Sequence, residues 1–510
     1  MKKKKSLFYL AVLCFCCAVG GTACNLTSTQ PPENESGLAF EKNETGYTVT
    51  GIGKYDSGIL IVPATYAGEP VTKIGENAFK GEVEIGEIVL PDSVTEIEAF
   101  AFSSCPNVEK VTLGNGVTKI GKEAFSYCHT IKTIELGTSV QTIEDKAFLR
   151  CVRMTEIVLP NGVTTIGESA FEDCDYLQEI TFNSFLKKIG KKAFYSCDEL
   201  GFIEIPAADN LVIGAEAFYE CGKAQYIVLG DGITEISEKA FDYCQQANYV
   251  LLGDDISIIG SEAFNHCRNV LHLTVGENLG LVGSSAFSGC YKLKEIYNRS
   301  NLSLRAGSGE FGNIAKRVSY IYRESGNSHL SILEDGCVLY TDGDYVELIG
   351  NLATKNFHLV IAENVTAIGF QAFYNNQFVL SVTMGDKVTK IADSAFQNSY
   401  KIETLKIGNG VTEIGDYAFR GSRFLTSVIL GSSLQTVGKE AFYKMFNYGT
   451  TKAFENLYFA GTQAAFSQIV WDEGNEHLKD SATKYYYSEA EPTETGNFWR
   501  YVDGKVKVWR

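Results

Sequence analysis

A block of hydrophobic positions recurs along this chain at a fixed spacing, with polar residues between the apolar ones. The apolar positions of one copy are Val117, Ile120, Ala124, Phe125, Cys128, Ile131, Ile134 and Leu136. An Ala-Phe pair marks each of the fourteen copies, and its phenylalanines are Phe79, Phe102, Phe125, Phe148, Phe171, Phe194, Phe218, Phe241, Phe264, Phe287, Phe373, Phe396, Phe419 and Phe442. Every step is 23 residues, apart from one of 24 and one gap of 86. A fixed period of this length predicts a solenoid of stacked, equivalent coils.

Each copy predicts two short strands and one compact turn. Ile134 and Leu136 alternate with polar residues, as the inward positions of a strand do, and the turn-forming Gly137 follows. The segment Val-Thr-x-Ile-Gly predicts a second extended stretch on the other side of the coil. We expect x-x-Ala-Phe-x-x-Cys to form a single helical turn that places the phenylalanine in the core, because the segment is too short for a stable isolated helix.

The complete unit, L-x-x-I-x-L followed by V-T-x-I-G and A-F-x-x-C, resembles the leucine-rich repeat of the BspA type (the Treponema-type class). The resemblance covers about residues 38–470. It implies a β-rich solenoid, a right-handed leucine-rich repeat stack of about 14 regular 23-residue coils plus irregular coils and caps. It also implies an extracellular or surface-attached bacterial protein of a class often proposed to bind host proteins or neighbouring cells.

The pattern divides the chain into eight segments. Residues 1–23 are predicted to be a secretory signal, because Lys2 to Lys5 precede an apolar run of 13 residues that is too short to span a bilayer stably. The other predicted segments are a disordered tether at 24–37, an N-terminal cap at 38–70, repeats 1–10 at 71–298, an irregular insert at 299–364, repeats 11–14 at 365–456, a C-terminal cap at 457–490 and an aromatic tail hairpin at 491–510.

Cys24 directly follows the small residues at the end of the predicted signal. This arrangement resembles a bacterial lipobox with Cys24 as the lipidated residue, although Gly21 stands where that motif usually has leucine. An ordinary signal peptidase would also accept Gly21-x-Ala23. The sequence therefore predicts an exported protein held at the cell surface by an N-terminal lipid, with free secretion as the alternative.

The insert repeats a pattern found at the start of the predicted solenoid. The apolar segments at 336–340, 344–350 and 359–361 occur in the same order as those at 37–40, 46–51 and 60–62. We therefore expect a second cap-like module, with a hairpin turn at Asp342-Gly343, a favoured tight-turn dipeptide. The pattern leaves open whether the insert bends or divides the solenoid.

Nine cysteines form a ladder, each three residues after the phenylalanine of its repeat: Cys105, Cys128, Cys151, Cys174, Cys197, Cys221, Cys244, Cys267 and Cys290. Equivalent positions in a parallel stack lie about 4.8 Å apart, but parallel side chains rarely reach the dihedral angle of a disulfide. Repeats 11–14 replace the cysteine with Asn376, Ser399, Ser422 and Met445. We expect small buried thiols that pack as hydrophobic groups.

Nothing in the sequence predicts catalysis. The six histidines share no repeat position, and His266 adjoins Cys267 of the buried ladder. No H-E-x-x-H or G-x-S-x-G motif occurs, and Asp342-Gly343-Asp344 lacks the remaining ligands of a calcium loop. Removing the signal with its four lysines changes the formal net charge from −17 to −21, so a nucleic acid would be repelled. We expect a non-enzymatic protein with no cofactor, metal site or nucleic-acid partner.

A row of aromatic residues occupies outward positions of successive L-x-x-I-x-L strands. The first outward position is polar in repeats 1–5, but in the following coils it holds Phe202, Tyr226, Tyr249 and His272. Such rings could pack across strands for stability alone, or mark a partner site. We expect contact with an extracellular protein or glycan ligand at Phe202, Tyr226, Val228, Tyr249, Leu251, His272 and Tyr297. The alternative function is a passive structural spacer of the bacterial cell envelope.

Overall fold

The computed structural model describes residues 37–54, 57–353, 355–443, 456–493, 495–503 and 505–509. The predicted signal segment, Cys24 and Met445 lie outside these residues. The chain forms a β-solenoid of about 18 turns with repeats of about 23 residues, as the period of the sequence predicts.

Two rows of short, mainly parallel strands run along the solenoid, and we call them row 1 and row 2. Row 1 is built from the I-x-L strands, and in the first part of the chain it contains Ile59–Ile61, Glu87–Val89, Lys110–Thr112, Thr133–Glu135, Glu156–Val158, Glu179–Thr181, Phe202–Ile205, Tyr226–Leu229, Tyr249–Leu252, His272–Val275, Glu295–Asn298 and Tyr320–Tyr322. Row 2 is built mainly from the T-x-I strands, and it contains Ala39–Asn43, Gly46–Gly51, Thr65–Tyr66, Glu69–Ile74, Glu96–Ile97, Lys119–Ile120, Thr142–Ile143, Thr165–Ile166, Lys188–Ile189, Leu211–Ile213, Ile233–Ile236, Ile258–Ile259 and Leu281–Val282.

Both rows recur in the second part of the chain. Row 1 there contains Phe357–Val360, Val379–Thr383, Thr404–Lys406, Ser427–Leu430, Asn456–Phe459, Thr483–Tyr487, Phe498–Val502 and Lys505–Val508. Row 2 contains Leu330–Ile332, Cys337–Asp342, Tyr345–Asn351, Ala367–Ile368, Lys390–Ile391, Glu413–Ile414, Thr436–Val437 and Val470–Trp471. Gln463–Ser467 forms a short α-helix and His477–Ser481 a π-helical turn, whereas Glu310–Asn313 is a turn in which Phe311 and Gly312 have left-handed backbone conformations. Within the residues described, no helix has the length and apolar character needed to cross a membrane.

Side chains alternate along row 1 as the sequence predicts. In the strand Thr133–Glu135, Ile134 is buried while its two neighbours are exposed. The strand pairs in parallel with the preceding coil, so that Ile134 lies beside Val111. Equivalent side chains of successive coils therefore lie next to each other, inside the core and outside it.

The phenylalanines of the Ala-Phe pairs form two stacks in the core, one from Phe79 to Phe287 and one from Phe373 to Phe442. Phe125 is fully buried, and its ring centroid lies 5.1 Å from that of Phe102 and 5.4 Å from that of Phe148. The rings are nearly parallel. Coils also approach closely at the glycine of V-T-x-I-G, since a Cβ on Gly121 would lie 2.6 Å from the carbonyl oxygen of Ile97.

The predicted helical turn around each Ala-Phe pair is wrong. Glu123 and Tyr127, on either side of the pair Ala124-Phe125, have left-handed backbone conformations with φ of 54° and 60°. This change of backbone conformation along the turn directs every second backbone N–H toward the next coil. The N–H of Phe125 donates to the carbonyl oxygen of Ala147 at 2.8 Å, and that of Tyr127 donates to the carbonyl oxygen of Leu149 at 2.7 Å. A helical turn would instead keep such hydrogen bonds within its own coil, so the stack with neighbouring coils determines the local conformation.

The cysteine ladder consists of free, buried thiols, as predicted. All ten cysteines in the described ranges are free and buried, Cys337 among them. The thiol of Cys128 donates to the carbonyl oxygen of Phe102 in the preceding coil at 3.0 Å. In a later repeat the hydroxyl of Ser399 donates to Phe373 in the same way, at 2.6 Å. A serine hydroxyl can therefore take the place of the thiol at this position.

The core is divided at the insert. One hydrophobic cluster extends from Val49 to Val318, and a second extends from Cys337 to Ala482. The second cluster begins at an antiparallel hairpin, Cys337–Asp342 with Tyr345–Asn351, in which Asp342 pairs with Tyr345. This confirms the hairpin predicted at Asp342-Gly343.

The first cluster begins in the same manner. The strands Ala39–Asn43 and Gly46–Gly51 form an antiparallel hairpin, and the second of them pairs in parallel with Glu69–Ile74. The corresponding strand of the insert hairpin, Tyr345–Asn351, pairs in parallel with Ala367–Ile368. The module predicted to occur twice therefore starts both solenoid cores.

A small group of contacts joins the two cores. Leu271 of the first part clusters with Val338, Tyr340 and Ile349 of the insert. The buried ammonium of Lys292 donates to the carbonyl oxygen of Ala372 at 3.2 Å. The Lys294 ammonium also pairs with Glu347 of the insert at 2.9 Å, so polar groups form part of this junction.

Candidate ligand-binding surface

The predicted aromatic row is present on the outer face of row 1. Parallel pairing places Phe202 beside Tyr226, Tyr226 beside Tyr249, and Tyr249 beside His272. The residue between each pair of outward positions, such as Ile227 or Val250, is fully buried. The strand geometry therefore brings the four side chains together as one stripe, which we call the strand-face stripe.

The first three rings of this stripe are stacked on one another. The ring centroids of Phe202 and Tyr226 lie 5.9 Å apart with an angle of 15° between the planes. Those of Tyr226 and Tyr249 lie 5.8 Å apart with an angle of 10°. The His272 ring follows at 6.3 Å and is tilted by 45°. Ring faces are therefore directed mainly at neighbouring coils, and burial raises the pKa of the hydroxyl groups of Tyr226 and Tyr249.

Aliphatic side chains accompany the rings at the second outward position. Val228 pairs with Leu251, which is followed by Thr274 and then Tyr297. Leu251 is 38% exposed and Val228 is half-buried. Together with Phe202, which is 53% exposed, these residues form a contiguous apolar surface over three coils.

The stripe becomes progressively covered toward the insert. Glu295, the next residue in register after His272, is fully buried. Its carboxylate accepts hydrogen bonds from the Ser328 hydroxyl at 2.5 Å and from the backbone N–H of His329 at 2.9 Å. The insert therefore covers this end of row 1, while the Phe202 end stays open.

His272 and Tyr297 lie at the covered end. A ring nitrogen of His272, Nε2, is 3.1 Å from the Tyr322 hydroxyl, and the Tyr297 ring stacks on Tyr322 with centroids 5.1 Å apart. Burial lowers the pKa of His272 to about 4, so the imidazole is neutral at neutral pH. Burial also raises the pKa of Glu295. The 3.8 Å approach of His272 to Glu295 is thus not an ion pair at neutral pH.

Further rings continue the stripe inside the insert, where sequence analysis predicted irregular coils and a cap-like hairpin. Tyr320 and Tyr322 pair with Glu295 and Tyr297 as one more strand of row 1. His329 stacks on Tyr320 at 3.9 Å, and Tyr340 follows at 5.7 Å. The alternation Tyr320-Ile321-Tyr322 is the sequence signal that predicts this additional strand.

The other candidate groups are structural. The Cys267 thiol donates to the Phe241 carbonyl oxygen at 3.2 Å, and burial raises its pKa well above the usual value, which disfavours the reactive thiolate. The neighbouring His266 has its Nδ1 3.2 Å from a carboxylate oxygen of Asp242. In the described portion of the chain, no group of three or more His, Cys, Asp or Glu side chains could hold a metal ion.

A family model describing a BspA type leucine rich repeat region matches six copies in this sequence, at residues 72–201, 211–328 and 353–469. These ranges cover more than half of the chain. The chain belongs to the BspA-type leucine-rich repeat family. Proteins with this fold are typically non-enzymatic, and BspA-type proteins are generally associated with the cell surface.

Solved structures of two bacterial leucine-rich repeat proteins are similar to this BspA-type chain. One, from Bacteroides ovatus, has 20% identity and a TM-score of 0.44, and the match covers 88% of this chain and 98% of the other. The second, a leucine rich cell surface protein from Faecalibacterium prausnitzii, has 19% identity and a TM-score of 0.29, with coverage of 86% and 97%. No curated protein matches the sequence.

Proposed function

We propose that this BspA-type chain is a non-catalytic cell-surface binding protein that recognises an extracellular protein through row 1. The observation that carries the proposal is the open end of the strand-face stripe, where Phe202, Tyr226 and Tyr249 stack in register beside the exposed Leu251. Contiguous exposed apolar surface of this kind marks interaction sites, and aromatic anchors dominate binding energy at protein interfaces.

The ring orientation favours a protein ligand over a glycan. A sugar ring packs most effectively on an open aromatic face, but Tyr226 has a neighbouring ring on each side at 5.8–5.9 Å. The ring edges carry partial positive charge, and the phenol tips can donate and accept hydrogen bonds. Aromatic faces, carbonyl groups and aliphatic side chains of a protein partner complement such a surface.

The contact residues divide into two groups by exposure. Phe202, Tyr226, Val228, Tyr249 and Leu251 lie on the open coils, and we assign the central contacts to them. His272 and Tyr297 contact Tyr322 of the same chain. Their role in the proposal is to form the edge of the surface and to hold its last open coil in place.

The experiment is an array of extracellular-matrix proteins and glycans probed with residues 25–510. We expect binding to a protein, and we expect Tyr226→Ser with Tyr249→Ser to abolish it. The matched control is Val89→Ser with Val158→Ser, which removes two apolar side chains from row 1 outside the stripe; Val158 is 62% exposed. Thermal unfolding should show that both double variants are folded. Unchanged binding by the tyrosine variant would place the site elsewhere.

The alternative is a passive spacer of the cell envelope. It is favoured by the parallel register itself, because ring pairs between adjacent strands stabilise a sheet without any ligand. A spacer would bind nothing on the array, and its tyrosine variant would lose stability only. The same experiment therefore distinguishes the two functions.

A further inference from the structure

Three of the turns that lead from row 1 to row 2 contain an Asn-Gly dipeptide: Asn115-Gly116, Asn161-Gly162 and Asn409-Gly410. This dipeptide is the one most prone to spontaneous deamidation, because glycine has no side chain to shield its backbone nitrogen. The three turns share one backbone arrangement, in which the valine after the glycine donates its N–H to the carbonyl oxygen of the residue before the asparagine at 3.0–3.3 Å. All three asparagines are exposed and all three glycines are half-buried.

Deamidation of an Asn-Gly pair passes through a cyclic imide. The glycine nitrogen attacks Cγ of the asparagine, so that a new N–C bond forms and the bond from Cγ to Nδ2 breaks. Nδ2 leaves as ammonia and takes the proton that the glycine nitrogen gives up. Water then opens the imide at either carbonyl group, which yields aspartate or isoaspartate. Hydrogen bonds that hold the asparagine side chain away from the glycine nitrogen therefore slow the reaction.

Two of the three asparagines are held by the following coil. Oδ1 of Asn115 accepts hydrogen bonds from the N–H of Thr138 at 3.2 Å and from its hydroxyl at 3.1 Å. Oδ1 of Asn409 accepts hydrogen bonds from the N–H of Ser432 at 3.2 Å and from its hydroxyl at 3.3 Å. The amide of Asn115 also donates to Asp92 of the preceding coil at 3.4 Å. Each side chain has to lose these contacts before its Cγ can reach the glycine nitrogen.

Asn161 occupies the same turn position, but its side chain has no hydrogen-bond partner among the described residues. The following coil differs here, because Asn183 stands in place of the glycine or proline of the neighbouring turns. The Asn183 amide donates to the carbonyl oxygens of Pro160 at 2.8 Å and Val163 at 3.0 Å, across the turn that contains Asn161. Ser184, the counterpart of the donors in the other two pairs, makes no hydrogen bond to Asn161.

The backbone is also less crowded at Asn161-Gly162. A Cβ added to Gly162 would lie 2.8 Å from its nearest atom, the carbonyl oxygen of Val140. The corresponding distance to a carbonyl oxygen of the preceding coil would be 1.9 Å at Gly116 and 1.8 Å at Gly410. Closure of the imide ring has to rotate the backbone of the turn, and the preceding coil leaves more room for this rotation at Gly162.

We propose that Asn161 is a modification site, at which the folded chain deamidates spontaneously to aspartate and isoaspartate while Asn115 and Asn409 stay intact. The product carries a new carboxylate shortly after the row 1 strand Glu156–Val158. Isoaspartate also routes the main chain through the former side chain, which adds a methylene group to the turn between the two rows. The modification needs water alone, and it does not depend on the ligand of the strand-face stripe.

The test follows all three asparagines in one sample. Residues 25–510 are kept folded at mildly alkaline pH, which speeds the reaction, and aliquots are digested at acidic pH so that no further deamidation occurs during preparation. Mass spectrometry quantifies each peptide, and an isoaspartyl methyltransferase with a labelled methyl donor marks the isoaspartate product. We expect Asn161 to deamidate at least about tenfold faster than Asn115 or Asn409.

The denatured chain is the matched control, because guanidinium chloride removes the structural differences and leaves the Asn-Gly-Val sequence that all three sites share. The three rates should then agree within about threefold. Thr138→Ala removes the hydroxyl donor to Asn115 and should raise the rate at Asn115 in the folded chain without changing that at Asn161. Equal rates in the folded chain, or an intact Asn161 after the denatured chain has fully reacted, would overturn the proposal. A difference of the same size in the denatured chain would also overturn it, since the cause would then be local sequence.

Discussion

The indole N–H of Trp499 donates to the carbonyl oxygen of Phe459 at 3.0 Å, and both side chains are fully buried. Trp499 belongs to Phe498–Val502, which pairs in parallel with Thr483–Tyr487 and antiparallel with Lys505–Val508. The aromatic tail hairpin predicted from the sequence is therefore a continuation of row 1. It closes the C-terminal end of the second core, where an uncovered end would expose apolar side chains.

Replacing Trp499 by alanine should destabilise the C-terminal strands by about 3–5 kcal/mol, because a large buried ring that packs on Tyr458 and Tyr487 is lost and a cavity remains. Chemical denaturation of residues 25–510 measures the effect. Trp509→Ala is the matched control: this indole is half-buried and donates to Ser488 at 2.8 Å, so a smaller loss is expected. An equal loss in both variants would contradict the capping role of Trp499.

Phe171→Ala should cost about 3–5 kcal/mol of unfolding free energy. The Phe171 ring is fully buried and stacks between Phe148 at 5.2 Å and Phe194 at 5.1 Å. Phe185→Ala makes the same chemical change at a side chain that is 54% exposed, and should cost less than about 1 kcal/mol. A thermal unfolding midpoint unchanged by Phe171→Ala would show that the stack does not support the core.

The cysteine ladder should be unreactive in the folded chain. Burial raises the pKa of Cys151, whose thiol donates to the Phe125 carbonyl oxygen at 3.2 Å. A thiol reagent at neutral pH should modify this residue only after denaturant is added. Cys151→Ser should keep the hydrogen bond, as Ser399 does with Phe373, and should be less destabilising than Cys151→Ala. Rapid modification without denaturant would contradict the buried position.

Lys292 should make the stability of the junction depend on pH. Burial lowers its pKa from 10.5 to about 7. Between these values the unfolded chain retains the proton while the folded chain has released it, so stability should rise as the pH increases from about 7 toward 10. The full gain in unfolding free energy over this pH range is on the order of 4 kcal/mol. None of this gain is present below pH 7, where the lysine is protonated in both the folded and the unfolded chain.

Denaturation of the unaltered chain and of Lys292→Met, compared from pH 6 to pH 10, measures this contribution as a difference between two curves. Lys294→Met is the control, since this lysine is partly exposed and pairs with Glu347 at 2.9 Å. A constant difference between the unaltered chain and Lys292→Met across the whole range would rule out titration of Lys292 as the cause.

Cys24 remains a prediction, because it lies outside the described residues. The full chain expressed in a bacterium should partition into the detergent phase, and Cys24→Ala should release it or block its processing. Cys105→Ala, at a buried ladder position, is the matched cysteine control and should leave the partition unchanged. Detergent partition unaffected by Cys24→Ala would favour the secreted alternative.

Sequence patterns predicted the features that follow from alternation along a strand. The inward position of Ile134, the buried stack around Phe125 and the outward stripe from Phe202 to His272 all depend on side-chain direction, which the local sequence determines. Confirmation of the stripe concerns its position only, and its role in binding stays a proposal.

The wrong or missing predictions involve contacts between distant residues. The turn around Ala124-Phe125 takes left-handed conformations because its N–H groups bond to the next coil. The buried carboxylate of Glu295 accepts a hydrogen bond from Ser328, which is 33 residues away in the sequence. The pattern of a single repeat contains no information on either contact.

The two starting hairpins, Ala39–Gly51 and Cys337–Asn351, have a consequence for how the protein responds to mechanical load. Each core is closed at its own beginning, so rupture of the contacts at Lys292 and Leu271 leaves neither core with an open first coil. Unravelling that starts at the C-terminal tail can therefore halt at the second hairpin while the first ten repeats stay intact. A chain pulled from its ends should therefore lengthen in two separate steps, one for the unfolding of each core.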